Sequence, residues 1–141
     1  MKKSVVKTKA SDALNASHLK KTAFRQELLK VFKSAKHPLT AAQVFERLPH
    51  FDRATLFRNL KTMVSKEVLS STDFGTGAAF YCLNDQAHHH HHIFCVRCQT
   101  VKGLDECVVA PLVKKAQEIG YTVLNHRLEL LGLCPQCKKV D

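Results

Sequence analysis

The sequence predicts an α+β protein, in which an N-terminal winged helix-turn-helix is followed by a small α/β module with a four-cysteine metal site. Three observations lead to this prediction. Signals for three short helices precede a glycine-containing hairpin, most of the net positive charge lies in that same half of the chain, and two Cys-x-x-Cys pairs lie in the other half. With 141 residues, of which 45% are hydrophobic, the chain can form one medium domain or two small ones, and a large multidomain enzyme is excluded.

The first half contains the start and stop signals of three helices. Thr22 is a candidate N-cap for a helix that stops before His37-Pro38, and Thr40 begins a second helix that ends at Pro49. Asp52 can cap a third helix, which we expect to bury one apolar stripe and to expose one polar face. The expected stripe is Ala54, Phe57, Leu60 and Val64, and the expected polar face is Arg53, Thr55, Arg58, Asn59 and Lys61.

A two-stranded hairpin is predicted after these helices. Strand-like runs at 67–72 and 78–83 bracket Asp73-Phe74-Gly75-Thr76-Gly77, whose glycines suit a tight turn. Three helices and a hairpin are typical of a winged helix-turn-helix, in which the third helix enters the major groove of DNA. Small helical bundles without a DNA role remain an alternative.

The charge distribution separates two modules. Residues 1–84 hold 15 Lys or Arg against 6 Asp or Glu, a net of +9, whereas residues 85–141 hold 7 against 6. A basic half can meet phosphates, although a basic surface can also serve solubility alone. We predict a flexible basic arm at 1–10, a winged-helix DNA-binding domain at 11–84 and a metal-binding domain at 85–141.

The second half is predicted to be a compact α/β module. Its pattern indicates strands at 88–96 and 100–104, a helix at 108–119 that ends at Gly120, and a third strand at 121–131. A module of this size buries little core, so we expect it to need a metal ion and a partner chain.

Two cysteine pairs, Cys95/Cys98 and Cys134/Cys137, predict a closed tetrahedral zinc site. At this spacing a tight turn directs two thiolates at one ion, and four thiolates leave no open position for catalysis. Redox-active dithiols are the alternative. The sequence lacks the H-E-x-x-H and His-x-Glu patterns of zinc enzymes, so an enzyme is not expected.

Five consecutive histidines, 88–92, lie two residues before the first cysteine pair. On a strand, His88, His90 and His92 would line one face, and His89 and His91 the other, so that one strand could serve two metal sites. The alternative is a solvated polar strand.

The chain is expected to be cytoplasmic. Its longest apolar runs fall far short of the ~20 residues of a membrane span, and its basic N-terminus lacks the apolar stretch of a secretory signal. Cytoplasmic thiols stay reduced, which again favours metal ligation over disulfides. Neither a membrane nor a small organic substrate is expected as a partner.

Five stretches of the chain, taken together, form a recognisable combination. They are Thr22-Ala-Phe-Arg25, Leu39-Thr40-Ala41, Ala54-Thr-Leu-Phe-Arg-Asn-Leu60, His88 to Cys98, and Asn125-His126-Arg-Leu-Glu-Leu-Leu-Gly132 with Cys134 and Cys137. In this combination the chain resembles the ferric uptake regulator family of dimeric metal-sensing repressors, from about residue 15 to residue 138. The resemblance implies an N-terminal winged helix joined to an α/β dimerisation domain with a four-cysteine zinc site.

The resemblance also implies roles for the third helix. Residues 54–58 match the family's DNA-reading segment, with Phe57 in place of tyrosine. Phe57 can still contact a thymine methyl group if it faces the groove. The candidate DNA-binding residues are Arg53, Thr55, Phe57, Arg58, Asn59 and Lys61.

A regulatory metal site between the domains is a further implication of the resemblance. Its histidine ligands map to His90 and His92, and its ligand at the end of the wing maps to Cys82, where iron-responsive members have a carboxylate and zinc-responsive members a thiolate. A thiolate favours zinc. For the fourth ligand we favour His37 over Asp73.

A third family site maps to His89, His91 and His126. Its usual glutamate falls near Ala110 and another acidic position near Gly103, so Glu106 or Cys107 would have to substitute. The resemblance therefore implies a homodimeric, zinc-sensing repressor that binds double-stranded operator DNA. The alternatives are an iron-dependent regulator or peroxide sensor of the same family, or a zinc-storage or redox protein that does not bind DNA.

Overall fold

The computed structural model describes residues 14, 17–84, 91–104, 107–124 and 126–140. The chain divides into two compact units, Met1–Asn84 and Asp85–Asp141. The arm predicted at 1–10 lies outside the described residues. Among the helices of the described ranges, none is long and apolar enough to cross a membrane.

The first unit contains three capped helices, α1 (Ala23–Ser34), α2 (Ala41–Arg47) and α3 (Arg53–Ser65). The predicted caps are confirmed, because the side chains of Thr22, Thr40 and Asp52 each accept a hydrogen bond from the backbone N–H three residues later. Each such cap is worth about 1 kcal/mol. The Asp52 carboxylate also accepts from the Thr55 hydroxyl, and this hydrogen bond lowers the pKa of Asp52.

The wing is a three-stranded antiparallel sheet in the order β1-β3-β2, with β1 at Leu39–Thr40, β2 at Leu69–Asp73 and β3 at Ala79–Leu83. The turn between β2 and β3 is closed by Asp73, whose Oδ1 accepts from the backbone N–H groups of Gly75, Thr76 and Gly77. Both glycines have positive φ, +83° and +76°, which explains their presence there. Strand β1 was not predicted, because it has only two residues and no local pattern marks it.

A single apolar core joins these elements. It combines residues from all three helices with the start of β2, and its fully buried members include Leu28, Leu60 and Leu69. Near the wing turn, Phe74 and Phe80 pack edge to face with ring centroids 5.2 Å apart.

The apolar face of α3 differs from the predicted stripe. The buried residues are Leu56, Leu60 and Met63, whereas Phe57 is 54% exposed and Ala54 is exposed. The stripe prediction was therefore wrong for Ala54 and Phe57. The larger aliphatic side chains Leu56 and Met63 fill the core with Leu60, at spacings of four and three residues, and this rotates Phe57 to the surface.

This rotation predicts stability effects of very different size for two adjacent residues. Leu56→Ala should lower the free energy of unfolding by about 2–5 kcal/mol, because it empties a buried volume. Phe57→Ala should change it by less than about 1 kcal/mol, because the ring is mainly solvent-exposed. Urea denaturation of both variants measures the difference. Equal losses of unfolding free energy would contradict the exposed position of Phe57.

The second unit is built on a mixed sheet in the order β5-β4-β6. Strand β4 (His91–Cys95) pairs antiparallel with β5 (Val101–Leu104) and parallel with β6 (Glu129–Gly132). Helix α4 (Ala110–Glu118) begins two residues later than predicted, and a short helix α5 (Pro135–Lys138) follows β6. Phe94 and Val101 are buried in this unit.

The strand predicted at 121–131 was largely wrong. Only Glu129–Gly132 is a strand, and residues 121–124 and 126–128 have no regular structure. The parallel register with β4 starts at His92↔Glu129, so the residues before Glu129 have no strand partner among those described. Leu124, which lies within the predicted strand, is 93% exposed.

Candidate metal centres and nucleic-acid interface

The two Cys-x-x-Cys pairs are brought together by the pairing of β4 with β6. Cys95 ends β4, and its register partner in β6 is Gly132, two residues before Cys134. Cys134 is the N-cap of α5, and Cys137 lies in that helix. The sheet thus holds the two turns side by side although they are about 40 residues apart in sequence.

The four sulfur atoms have the spacing that a tetrahedral ion requires. All four lie within 4.8 Å of one another, and Cys98 Sγ is 3.7 Å from Cys134 Sγ. A tetrahedron with metal–sulfur bonds of about 2.3 Å has sulfur–sulfur edges of about 3.8 Å. These residues can therefore hold one closed, four-coordinate metal ion.

Hydrogen bonds and sulfur–sulfur contacts shift the pKa values of these thiols in opposite directions. Backbone N–H groups of Cys98 and Cys134 lower the pKa of Cys95 to about 6, and the Cys134 N–H lies 3.3 Å from Cys95 Sγ. In contrast, the neighbouring Cys134 sulfur raises the pKa of Cys137 to about 12. Four crowded thiols cannot all ionise without a cation, so the cluster is suited to a metal rather than to free thiolates.

Arg97 connects the two cysteine turns and was missed by the sequence reasoning. Its Nη1 donates to the carbonyl oxygens of Cys137 and Val140, both at 2.6 Å. Thr100 adds a contact of 3.1 Å between its hydroxyl and Cys98 Sγ. No local pattern could have shown the contacts of Arg97, because its partners are 40 and 43 residues away.

A second cluster in the same unit contains His91, Cys107 and His126. Their ligand atoms lie within 4.8 Å of one another, with Cys107 Sγ 3.4 Å from His91 Nε2 and 3.7 Å from His126 Nε2. His91 is buried, and Cys107 is half-buried. The predicted partner His89 and the substitute Glu106 lie outside the described residues, as do His88 and His90.

The residues predicted for the regulatory site lie on both units. Cys82, in β3, is half-buried, with its Sγ 3.1 Å from the hydroxyl of Ser70, and burial raises the pKa of its thiol. His37 is exposed just before β1. Strand β1 pairs with β3 through Leu39↔Tyr81, so its first residue, two positions after His37, pairs with the residue just before Cys82. His92 lies in β4 of the second unit and is half-buried.

Helix α3 presents a basic and aromatic surface. Arg53, Phe57, Arg58 and Lys61 are exposed. The Arg53 guanidinium lies 4.6 Å from the ring centroid of Phe45 in α2, and Arg58 donates to the Thr55 hydroxyl at 3.3 Å. These contacts orient two cationic groups on the face that the sequence predicted to be polar.

Asn59 departs from that prediction. It is half-buried, its Oδ1 accepts from Arg25 Nε at 2.9 Å, and its Nδ2 donates to the Thr55 carbonyl at 2.9 Å. Arg25 in turn donates to the carbonyl of Lys20 at 3.0 Å. Asn59 thus connects α3 to α1. The prediction that it faces solvent was wrong, because its side-chain amide is hydrogen-bonded to Arg25, which is distant in sequence.

Comparison with known proteins identifies the family. The sequence model of the ferric uptake regulator family matches residues 16–131. The chain is 34% identical to the ferric uptake regulation protein of Neisseria gonorrhoeae over 131 residues, and 30% identical to that of Synechococcus elongatus over 133 residues; each alignment covers 89% of this chain and 90% of the relative.

The fold is also shared with solved structures. The ferric uptake regulator of Vibrio cholerae superposes with a TM-score of 0.76 and 26% identity, over 89% of this chain and 100% of that one. That of Francisella tularensis gives 0.73 and 27%, over 86% and 96%. Family proteins are transcription regulators that bind metal ions and operator DNA and form dimers, and they are not enzymes. The chain belongs to the ferric uptake regulator family and is a metal-responsive, DNA-binding transcription regulator.

Proposed function

We propose that this regulator is a zinc-sensing repressor of metal-uptake genes, with a DNA-binding domain at 11–84 and a metal-binding dimerisation domain at 85–141. The observation that carries the choice of zinc is Cys82. Cys82 follows Tyr81, the residue that pairs with the first residue of β1, and a carboxylate at this wing position would suit ferrous iron. A ligand set of one thiolate and several imidazoles suits zinc better than iron or manganese.

The proposed regulatory ligands are Cys82, His90, His92 and His37. The sheet register supports His37, since it brings that histidine's segment to the Cys82 end of β3. Asp73 is less suitable, because its Oδ1 already accepts three backbone hydrogen bonds of the wing turn. Zinc supplies no redox chemistry here, and it acts by fixing the ligands around it.

The response follows from where these ligands lie. Cys82 and His37 belong to the first unit, and His90 and His92 to the second, so a shared ion favours one arrangement of the units. In a dimer this arrangement would set the two α3 helices one helical turn of DNA apart, roughly 34 Å. A coupling of about 1–3 kcal/mol, typical of allosteric proteins, would produce the repressor response.

We further propose that the four-cysteine centre holds a structural zinc ion and that the second unit forms the homodimer. The donor set and the spacing of the sulfurs support zinc. The dimer is supported by α4, which has no buried residue among those described, and by large apolar side chains that stay exposed in this unit. They include Leu112, Ile119, Tyr121, Leu124 and Leu131.

The alternative within the family is an iron-dependent regulator. It is favoured by the Francisella tularensis relative, whose structure was determined with iron. It requires an oxygen-rich site, and the thiol of Cys82 opposes this. Zinc storage without DNA binding is not supported, because the family consists of DNA-binding regulators.

The experiment that tests the proposal is an operator-binding isotherm against buffered free metal. DNA sites selected from a random-sequence library would be titrated with the dimer at fixed concentrations of free Zn²⁺, Fe²⁺ or Mn²⁺. We expect Zn²⁺ to activate binding at free concentrations far below those required of the other two ions. Activation by Fe²⁺ at the lower concentration would contradict zinc sensing.

Arg58→Ala is expected to weaken operator binding, since Arg58 is exposed on the proposed recognition helix. If the guanidinium contacts a base edge, the loss should be about 1–3 kcal/mol and confined to one operator position. If it contacts a phosphate, the loss should be equal for all sequences and the salt dependence should decrease. Lys102→Ala, an exposed change in β5, is the control and should leave binding unchanged. Unchanged binding by Arg58→Ala at several salt concentrations would place DNA recognition elsewhere.

A further inference from the structure

Arg97 lies between the two ligands of the first cysteine pair, and its side chain reaches the last ligand of the second pair. Its Nη1 group carries two N–H bonds, and it donates to the carbonyl oxygens of Cys137 and Val140, both at 2.6 Å. Hydrogen bonds from a charged donor are stronger than those between neutral groups. One side chain thus ties the backbone of a metal ligand to the opposite turn of the centre.

Helix α5 is too short to hold Cys137 in place without help from other segments. It has only four residues, Pro135–Lys138, and helices of this length are marginal without tertiary contacts. At its N-terminal end, the Cys137 N–H donates to the Cys134 sulfur at 3.4 Å. At its C-terminal end, the Cys137 carbonyl accepts from the Val140 N–H at 3.4 Å, so the contact of 2.6 Å from Arg97 is the shorter of the two. Arg97 therefore acts as the cap of this helix end.

We propose that Arg97 is a positioning residue for the four-cysteine centre, which holds the Cys137 thiolate at the ion and slows the loss of zinc. The inference rests on the structural zinc proposed above. When one thiolate dissociates from a bound ion, its return competes with capture of that ion by another ligand. A held backbone keeps the free sulfur at a high effective concentration beside the ion, so the return is favoured. Partners that orient metal ligands commonly raise metal affinity by about 10–100-fold.

The chemistry of the guanidinium explains why arginine suits this position. Two carbonyl oxygens each need one N–H, and a planar Nη1 group offers both in a fixed geometry, whereas the ammonium of lysine is a point charge on a flexible stem. Four thiolates also give the centre a net negative charge around a divalent ion, and either cation would offset part of it. Arg97→Lys keeps the charge and loses the fixed geometry, and Arg97→Met loses both.

Transfer of zinc to a chelator measures the effect of Arg97. The full-length dimer, loaded with one zinc ion per subunit, would be mixed with an excess of a colorimetric zinc chelator, and the rate of release followed by absorbance. We expect Arg97→Met to release zinc at least about tenfold faster than the wild type, with Arg97→Lys between them. Arg127→Met is the matched control, because Arg127 lies in the same unit and donates to Glu129 at 2.8 Å. It should release zinc at the wild-type rate.

Alkylation resolved by residue separates positioning from a general loss of stability. In the zinc-loaded Arg97→Met dimer, N-ethylmaleimide should modify Cys137 about tenfold faster than in the wild type, and Cys95 should change much less, read by mass spectrometry of the peptides. An equal increase at all four cysteines, or equal zinc release by Arg97→Met and the wild type, would overturn the positioning role.

The lysine variant also covers a folding defect of Arg97→Met. If Arg97→Met does not form the dimer, Arg97→Lys takes its place, and release at the wild-type rate by that variant would overturn the role of the guanidinium. A wild-type dimer that purifies without zinc at the four cysteines would instead contradict the structural zinc, so the failures of the two proposals are distinguishable.

Discussion

Replacing Cys95 or Cys134 by Ser is expected to unfold residues 85–141 and to abolish the dimer. Among its described residues the second unit buries few side chains, and α4 contributes none, so an ion in the four-cysteine centre would supply much of the folding free energy. Structural zinc in small domains contributes about 10–16 kcal/mol of apparent binding free energy, most of which depends on four intact ligands. Loss of one thiolate should therefore exceed the stability that the sheet alone provides.

Zinc content, far-ultraviolet circular dichroism and sedimentation of the purified variants measure this effect. Cys82→Ser makes the same chemical change in the other unit, and it should keep both the four-cysteine zinc and the dimer. A Cys95→Ser protein that lacks this zinc and is still a stable dimer would contradict a structural role.

Cys82→Ser should eliminate zinc-dependent operator binding while the fold, the dimer and the four-cysteine zinc remain intact. The thiol is half-buried in β3, and this change would remove the ligand that we propose for the first unit. If the proposal is right, the bound ion would no longer stabilise the state that binds DNA, and the population of that state would fall. His90→Ala combined with His92→Ala should have the same effect from the second unit.

Two variants distinguish a metal ligand from a buried wing residue. Ser70→Ala removes the hydroxyl that contacts Cys82 but keeps the thiol, and it should retain the zinc response. Cys82→Asp replaces sulfur by oxygen and should shift the response toward Mn²⁺ or Fe²⁺. Operator-binding isotherms against buffered free metal compare Ser70→Ala, Cys82→Asp and Cys82→Ser with the wild type. If both Cys82 variants keep the wild-type zinc midpoint, zinc sensing at Cys82 is wrong.

Some features followed from short-range sequence rules, and the structure confirms them. Thr22, Thr40 and Asp52 cap helices because a side-chain oxygen three residues before a backbone N–H needs no distant partner. The glycines of the wing turn were also predictable locally, because a tight turn requires residues with positive φ. The Cys-x-x-Cys spacing places two thiols on one turn, so two such pairs identified the four-cysteine centre before the fold was known.

Other features depended on which elements pack together. The exposed position of Phe57 is set by the larger side chains Leu56 and Met63, which compete for the same core. The burial of Asn59 is set by Arg25 on another helix. Periodicity predicts an amphipathic helix. Which of its residues face the core depends on the sizes of the side chains and on the residues of other elements that contact them.

By itself the sequence determined the α+β class, the helix caps, the wing turn and the two cysteine pairs, because local spacing and periodicity indicate each of them. Only the tertiary structure showed that β1 pairs with the part of β3 just before Cys82, that Arg97 joins the two cysteine turns, and that Cys107 meets His91 and His126. The physical reason is that these groups are brought together by strand pairing and packing between residues far apart in sequence, which no local pattern encodes.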